Sequence, residues 1–446
     1  MRAVASLFAL GLMMALFHRV TAGAALEARA TLALGFLLLA AFLGGDLAKR
    51  ARLPRITGFL LAGFAVGPAW LGLLRRDEVE ALSFIGDAAL ALIALSAGSE
   101  LTLRTFREGG VALARLAGAA LVGPFLAVTL VLLTVSPWFP LTTHQRFGNA
   151  VAIALTLGAV SAAGSPAVAM GMTTELAARG PVARTLLSVT VLKDVALVLL
   201  FTLGLAAARS VTTDGGLNVR VVAGALLVLA GSLAVGVLFG YALSAYGRRM
   251  ARDTALALLA AAFVAAEAAR LAHLETLVVG LAAGFYLETF SPTESERIRR
   301  ELARGSLLVY LVFFALAGAN LRVGALADQW PWVLLLVGLR AVTLRYGLRW
   351  AGRDPRVAPA LARYGWWGLV PQAGIALWLA QVARRAFPQW GVSLAALIAA
   401  MIAVHEVIGP FCFRRALERA GEVREAVGDA DAPAGGAAIV PVGGGS

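Results

Sequence analysis

Two ionisable residues stand side by side inside a long apolar stretch of the chain. Lys193 and Asp194 lie near the middle of residues 185–207, which are long enough to cross a lipid bilayer. A charge at that depth costs roughly 2.5–3.5 kcal/mol on insertion scales, so such groups usually face a partner or a wet cavity. A carboxylate there can hold a proton or an alkali cation, but not both well. The sequence therefore predicts an ion and proton site at Asp194, with a structural aspartate joining two helices as the alternative.

The role of Lys193 stays open on the sequence alone. Sequence neighbours do not face each other on a regular helix, so Lys193 need not pair with Asp194. The lysine could cap an interrupted helix, form a salt bridge elsewhere, or fill the place of a transported cation. A buried lysine can also lose its proton and so titrate itself. A lysine that only reaches towards the membrane surface is the remaining alternative.

Arg340 is a third charge inside an apolar stretch, residues 331–350. Its guanidinium stays charged at any cellular pH, so it cannot be the group that releases a proton. If it pairs with Asp194, it tunes the electrostatics of that carboxylate. The alternative is an arginine that bridges helices without touching the ion pathway.

Two further apolar stretches, residues 148–172 and 364–383, are each interrupted by a proline beside glycine or polar residues. Proline removes a helical hydrogen bond, and in a membrane the freed backbone groups need protein or cavity water as partners. Matched interruptions in two halves of a chain predict a binding site near the membrane midplane. The interrupting residues are Gly164, Ser165 and Pro166 in the first stretch and Pro371, Gln372 and Gly374 in the second.

The composition predicts an all-α polytopic membrane protein. Hydrophobic residues make up 60% of the chain and charged residues 15%, with a mean hydropathy of +0.82. The apolar stretches give about 13 transmembrane helices, preceded by residues 1–24 as a signal peptide or an extra helix. The transmembrane domain is expected over residues 25–417, followed by a disordered cytoplasmic tail over residues 418–446.

The spans divide into two six-helix repeats with one helix between them. Repeat one covers residues 29–207, the connector helix 220–246, and repeat two 253–413. Because a single helix separates them, the second repeat enters the membrane from the opposite side, as an inverted repeat requires. Local likeness supports the division, since AGSEL at residues 97–101 corresponds to AGANL at residues 317–321.

The net charge of +13 comes mainly from loops on one side of the predicted membrane. That bias places the C-terminus in the cytoplasm and makes nucleic acid an unlikely partner. A single cysteine and four scattered histidines exclude an internal disulfide and a zinc site. With no nucleophile–base arrangement and no cofactor motif, we expect neither an enzyme nor a cofactor or metal, apart from a transported alkali ion.

Seven sequence stretches, in order, resemble one known family. They are RITGFLLAGFAVGPAWLG (55–72), IGDAALALIALSAGSEL (85–101), GSPAVAMGMTTELAARG (164–180), VTVLKDVALVLL (189–200), LVFFALAGANL (311–321), VPQAGIALWLA (370–380) and HEVIGPFCFRRALERAGE (405–422). The chain resembles the monovalent cation:proton antiporter superfamily, especially the bacterial Na+/H+ and K+/H+ exchangers of its Kef-type and NapA-like branch.

The resemblance implies a homodimeric secondary transporter of the bacterial cytoplasmic membrane that exchanges Na+ or K+ for protons by alternating access. Asp194 matches the essential carboxylate of the family, and Ser165 with backbone carbonyls would supply further ion ligands. Lys193 and Arg340 would act as electrostatic tuners. Two positions depart from the family, which usually has Asn, Gln or Asp at position 193 and Thr at position 164.

Two alternatives keep the same fold. The excess of positive charge around Asp194 would suit an anion or an organic acid as substrate. Lys193 could instead fill the cation site permanently, which would leave a transport-inactive scaffold or sensor. The other acidic residues are expected to be structural: Asp87, Glu100, Glu267 and Glu406, the last beside His405.

Overall fold

The computed structural model describes residues 11–14, 25–51, 53–101, 103–178, 180–212, 219–249, 254–321, 324–372, 374–387 and 389–423. Every regular element in these ranges is a helix. Seven helices are long and apolar enough to cross a membrane, and four shorter apolar helices accompany them. The predicted all-α polytopic fold is confirmed, while the number of about 13 spans stays a prediction. Most of the expected signal peptide or extra helix, residues 1–24, lies outside the described residues.

The helices follow one another with short connections. In chain order they are α1 (Leu26–Arg50), α2 (Arg55–Val66), α3 (Arg76–Ala81), α4 (Ser83–Ser99), α5 (Leu103–Thr134), α6 (Phe147–Ser161), α7 (Pro166–Glu175), α8 (Pro181–Thr212), α9 (Val219–Arg249), α10 (Thr254–Leu271), α11 (Thr276–Phe290), α12 (Pro292–Ala319), α13 (Gly324–Ala351), α14 (Pro359–Gly368), α15 (Gly374–Ala386) and α16 (Gly391–Ala420).

The helices pack into two groups. One group, which we call the panel, consists of α1, α2, α4 and α9–α12. The other, the core bundle, consists of α5–α8 and α13–α16. Each predicted repeat contributes helices to both groups. Repeat one, which ends with α8, has its first helices in the panel and its last in the core bundle. Repeat two, which begins with α10, is divided in the same way. The groups meet mainly where α8 packs on α9, where α7 packs on α4 and where α16 packs on α2.

Within the panel, α2 and α12 cross at glycines. A Cβ atom on Gly63 would lie 2.1 Å from the Ala315 carbonyl oxygen, and one on Gly318 would lie 2.1 Å from the Leu60 oxygen. Real Cβ atoms do not approach backbone this closely, so only glycine allows the two backbones to come into contact. Small residues at helix crossings are the usual means of tight packing in membranes.

Helices α4 and α11 make the same kind of crossing. A Cβ on Gly98 would lie 2.2 Å from the Leu281 oxygen, and one on Gly284 would lie 2.2 Å from the Leu95 oxygen. The first crossing joins the α2 of repeat one to the α12 of repeat two. The second joins α4 of repeat one to α11 of repeat two. Because α4 corresponds to α12 and α11 corresponds to α2, the same two positions meet with the repeats exchanged. This reciprocity is what two inverted repeats produce.

A carboxylate joins the two groups at one end of the bundle. Glu175, at the end of α7 in the core bundle, accepts hydrogen bonds from the backbone N–H groups of Arg55 and Ile56 in the first turn of α2. Nearby, the hydroxyls of Thr174 and Tyr310 are hydrogen-bonded at 3.2 Å. The N-terminus of a helix has unpaired N–H groups and partial positive charge, and a carboxylate satisfies both.

The chain beyond α16 is ordered for longer than the sequence indicates. Gly421 ends the helix with a φ of 73°, and Glu422 then accepts hydrogen bonds from the Val182 and Ala183 N–H groups at 2.7 and 2.8 Å. The predicted disordered tail from residue 418 therefore begins too early. The charged composition of the tail gives no sign that Glu422 caps the start of α8. Residues 424–446 lie outside the described residues.

The glycine crossings give a stability prediction. Gly98→Ala should lower the free energy of unfolding by about 1–3 kcal/mol, the usual cost of overpacking, because the new methyl group meets backbone that cannot move aside. Gly338→Ala, in α13, is the matched control, since a Cβ there meets nothing within 4 Å. Thermal unfolding in detergent, followed through the nine tryptophans, measures both. Equal melting temperatures for the two variants would contradict the packing described.

Candidate functional site

The first predicted interruption separates α6 from α7. Helix α6 ends at Ser161, and α7 begins at Pro166, so residues 162–165 form a non-helical break inside one apolar stretch. Pro166 occupies the first helical position, where its missing N–H costs nothing. The Ser165 hydroxyl accepts from the Val168 N–H at 3.2 Å and so caps the second half-helix. The predicted interruption is confirmed.

The second interruption separates α14 from α15 and lies against the first. Helix α14 ends at Gly368, and α15 begins at Gly374, with Pro371 and Gln372 in the connection. The Gln372 side-chain amide donates to the Val160 carbonyl, in the last turn of α6, at 2.8 Å. The two breaks are thus joined by a direct hydrogen bond, and the matched pair predicted from the sequence is confirmed.

Arg340, carried by α13, holds both breaks together. Its Nε donates to the Ser161 carbonyl at 2.7 Å, and its Nη2 donates to that of Ala163 at 2.7 Å. Its guanidinium also donates to the Leu369 carbonyl at 2.9 Å and the Val370 carbonyl at 2.5 Å. These carbonyls end α6 and α14, where a helix has unpaired oxygens and partial negative charge. The buried guanidinium satisfies both ends at once.

This geometry decides between the two readings of Arg340. All four hydrogen bonds of its guanidinium named above go to backbone carbonyls, and none to the Asp194 carboxylate. The reading as a bridge between helices therefore describes its contacts, while its charge still lies close enough to act on the site. Direct pairing with Asp194 is absent among the described residues, because the guanidinium donates its hydrogen bonds to the carbonyl ends of the broken helices.

Lys193 and Asp194 meet the first break from α8. Asp194 Oδ1 accepts from the Gly164 N–H at 2.9 Å and from the Lys193 ammonium at 3.0 Å. The ammonium also donates to the Ala162 carbonyl at 2.6 Å. Both residues are 1% exposed. The other carboxylate oxygen, Oδ2, is buried and has no hydrogen-bond partner among the described residues.

The pairing of Lys193 with Asp194 differs from the simple helical rule. Backbone directions of neighbouring residues diverge, but the long lysine side chain bends back to Oδ1. The break supplies the reason, since the Ala162 carbonyl has no helical partner and draws the ammonium to this side. Lys193 thus does two of the things that the sequence left open: it partners the interrupted helix and forms a salt bridge. The snorkelling alternative is wrong, because the ammonium is buried.

The other acidic residues lie outside this constellation. Glu267 is exposed and forms a salt bridge with Arg270. Glu406 is buried in α16, with its Oε2 unpaired in the described part of the chain, and the neighbouring His405 contacts the Met401 carbonyl. Sequence reasoning missed Glu175 and Glu422, because a helix-capping carboxylate shows no pattern until its partner helix is in place.

A buried carboxylate with two arginine partners anchors the end of the helix that carries Arg340. Asp354 follows α13, outside the membrane-spanning segments, and contacts Arg356 at 2.8 Å and Arg115 of α5 at 3.0 Å. The hydrogen bonds from Arg356 lower the pKa of Asp354 to about 2. Because the folded-state pKa is depressed, the stability that this carboxylate contributes is present above its ordinary pKa of 3.8 and is lost as the pH falls towards 2.

Two interrupted helices that meet beside a buried carboxylate, within an all-helical membrane fold, define a secondary transporter. A family model described as "Sodium/hydrogen exchanger, transmembrane" matches residues 35–417. The chain belongs to this family, and the resemblance to the monovalent cation:proton antiporter superfamily is confirmed. Cation:proton antiport is therefore the class of activity, and the family is one of transporters.

Solved structures agree on the fold. The sodium proton antiporter MjNhaP1 from Methanocaldococcus jannaschii at pH 8 is similar with a TM-score of 0.60 and 16% identity, over 89% of this chain and 96% of that one. A structure of the same antiporter from electron microscopy gives a TM-score of 0.65 and 16% identity, over 89% and 99%. An uncharacterized protein in the phaC 3' region of Methylorubrum extorquens is 46% identical over 54 residues, which cover 12% of this chain and 16% of that protein.

The four hydrogen bonds from Arg340 to backbone carbonyls, which we call the carbonyl clamp, predict the cost of losing this residue. Arg340→Met should lower the free energy of unfolding by about 3 kcal/mol or more, because a buried carbonyl left unpaired costs about 1–3 kcal/mol. Arg349→Met is the control, since Arg349 is exposed on the same helix. Thermal unfolding in detergent is the measurement. If both variants melt alike, the guanidinium does not hold the breaks.

Proposed function

We propose that this chain exchanges Na+ or K+ for protons across the bacterial cytoplasmic membrane by alternating access, with Asp194 as the shared ion and proton site. The observation that carries the proposal is the buried Asp194 carboxylate at the break between α6 and α7, with one oxygen unpaired. Membership of the sodium/hydrogen exchanger family supports the class of reaction. The choice between Na+ and K+ is left to experiment.

The ligands of the cation would be oxygens around the break. Hard cations prefer carboxylate, carbonyl and hydroxyl oxygens. Asp194 offers Oδ2, and the break offers backbone carbonyls such as that of Ala162, which now faces Lys193. Ser165 would add its hydroxyl, which accepts one hydrogen bond from Val168 and keeps a lone pair free.

Charge balance supports an exchange of one proton per cation. In the described part of the chain a single carboxylate, that of Asp194, is hydrogen-bonded to the break. It would bind either ion in competition, so each arriving ion would release the other. Lys193 and Arg340 tune this competition, since positive charge near Asp194 stabilises its ionised form. Arg340 keeps its charge whether Asp194 holds a proton or a cation, so its effect on the electrostatic potential at the site is constant.

An anion as substrate is less well supported. The guanidinium of Arg340 would be the natural partner of an anion, but four of its five N–H donors are occupied by carbonyls of both breaks. The second candidate function is a transport-inactive scaffold or sensor. The specific observation in its favour is the Lys193 ammonium, which already contacts the Ala162 carbonyl and the Asp194 carboxylate, as a bound cation would.

The setting of the exchanger is part of the proposal. We place the chain in the cytoplasmic membrane as a homodimer with the end of α16 in the cytoplasm. The basic loops support that orientation. In alternating access, the core bundle would move against the panel.

Asp194→Asn should abolish cation-driven proton flux, because an amide cannot exchange a proton for a cation. We expect a loss of at least about 100-fold, as a group required in every cycle is removed. The measurement is proton flux in inside-out vesicles on addition of Na+ or K+. Glu267→Gln is the matched control, because this exposed acid pairs only with Arg270 among the contacts described and should leave the flux unchanged.

Two outcomes contradict the proposal. Flux that survives in Asp194→Asn would remove Asp194 from the shared site. A wild-type protein that is folded but inactive with both cations would favour the transport-inactive scaffold.

A further inference from the structure

Gly164 lies in the break and is hydrogen-bonded to the charged pair through Asp194. A Cβ atom at this position would lie 2.8 Å from the Lys193 ammonium nitrogen, 3.0 Å from Thr190 Cγ2 and 3.2 Å from Asp194 Oδ1. Any side chain here would compete with the ammonium for space. The ammonium therefore occupies the volume that a residue larger than glycine would take.

The backbone gives no separate reason for glycine at this position. Positive φ angles occur at Gly72 and Gly421 among the described glycines, and Gly164 is in the region that other residues also adopt. Conformational freedom thus does not require glycine here, whereas a larger residue would have to displace the Lys193 ammonium.

The partners of the ammonium are of the kind that bind alkali cations. Its nitrogen lies 2.6 Å from a carbonyl oxygen and 3.0 Å from a carboxylate oxygen, those of Ala162 and Asp194. These are hard oxygen ligands, the type that a dehydrated monovalent cation prefers. In the structure an internal cation therefore holds part of the oxygen set proposed for the substrate.

We infer that Gly164 and Lys193 are an affinity-determining pair: glycine gives the ammonium its place beside Asp194, and a transported cation must displace the ammonium from the Ala162 carbonyl. This inference rests on the proposed function, because it concerns affinity at the same site. Lys193 lowers the affinity for the cation by competing with it, and Gly164 acts only through Lys193. The two positions are thus expected to be strongly coupled.

A double-mutant cycle tests the pair without any transported ion. Wild type, Gly164→Ala, Lys193→Asn and the double variant are compared by thermal unfolding in a buffer whose only cation is a bulky organic one. Gly164→Ala should lower the melting temperature clearly in the wild-type background and far less in the Lys193→Asn background, because the smaller side chain leaves room for the methyl group.

Gly171→Ala is the matched control for the cycle. Gly171 lies on α7, and its added Cβ would meet Ile56 at 2.7 Å but makes no approach to Lys193. Its effect on the melting temperature should therefore be the same with lysine or asparagine at position 193. Additive effects at Gly164, like those expected at Gly171, would overturn the inference.

Cation binding supplies the second readout. The apparent affinity for Na+ or K+, measured by radioactive-ion binding, should rise about tenfold in Lys193→Asn, which corresponds to about 1.4 kcal/mol for the removal of a competing charge. Unchanged or weaker binding would overturn the inference even if Asp194→Asn still abolishes flux. If the wild type neither binds nor exchanges either cation while Lys193→Asn does both, the ammonium is a permanent blocker, and the idea of a displaceable competitor fails.

Discussion

The structure depends on how unpaired carbonyl groups are satisfied in the middle of a membrane. Breaking a helix leaves oxygens without partners, and no bulk water is present at that depth to compensate. Arg340 supplies one delocalised cation with several donors, which reaches the carbonyl ends of both broken helices. Without such a group neither break could be kept open, and the backbone around Asp194 would not be available for an ion.

The Lys193–Asp194 pair and the carbonyl clamp of Arg340 have different roles in the site. Arg340 cannot release a proton and its contacts are with backbone, so in the proposed transport cycle it would preserve the shape of the site. Lys193 contacts one carbonyl and one carboxylate, and in the inference drawn above these contacts would be exchanged for contacts with another cation. Both charges contact carbonyls of the first break, and of the two only Lys193 is hydrogen-bonded to Asp194 in the described part of the chain.

Much of this arrangement could be predicted from the sequence, because its signals are local. Charges within apolar stretches marked Lys193, Asp194 and Arg340, and prolines marked the two breaks. The partners could not be predicted, since Arg340 contacts a carbonyl 179 residues away along the chain. The pairing of Lys193 with its neighbour was also hidden, because it depends on where the broken helix leaves an unpaired oxygen.

The carboxylate of Glu175 has a consequence for amide hydrogen exchange. It belongs to the core bundle, yet it protects the N–H groups of Arg55 and Ile56, which belong to the panel. Helix geometry gives these two amides no internal acceptor, so they are shielded from solvent exchange only while the end of α7 stays docked. Their exchange rate therefore reports how often the two groups of helices separate at this end of the molecule.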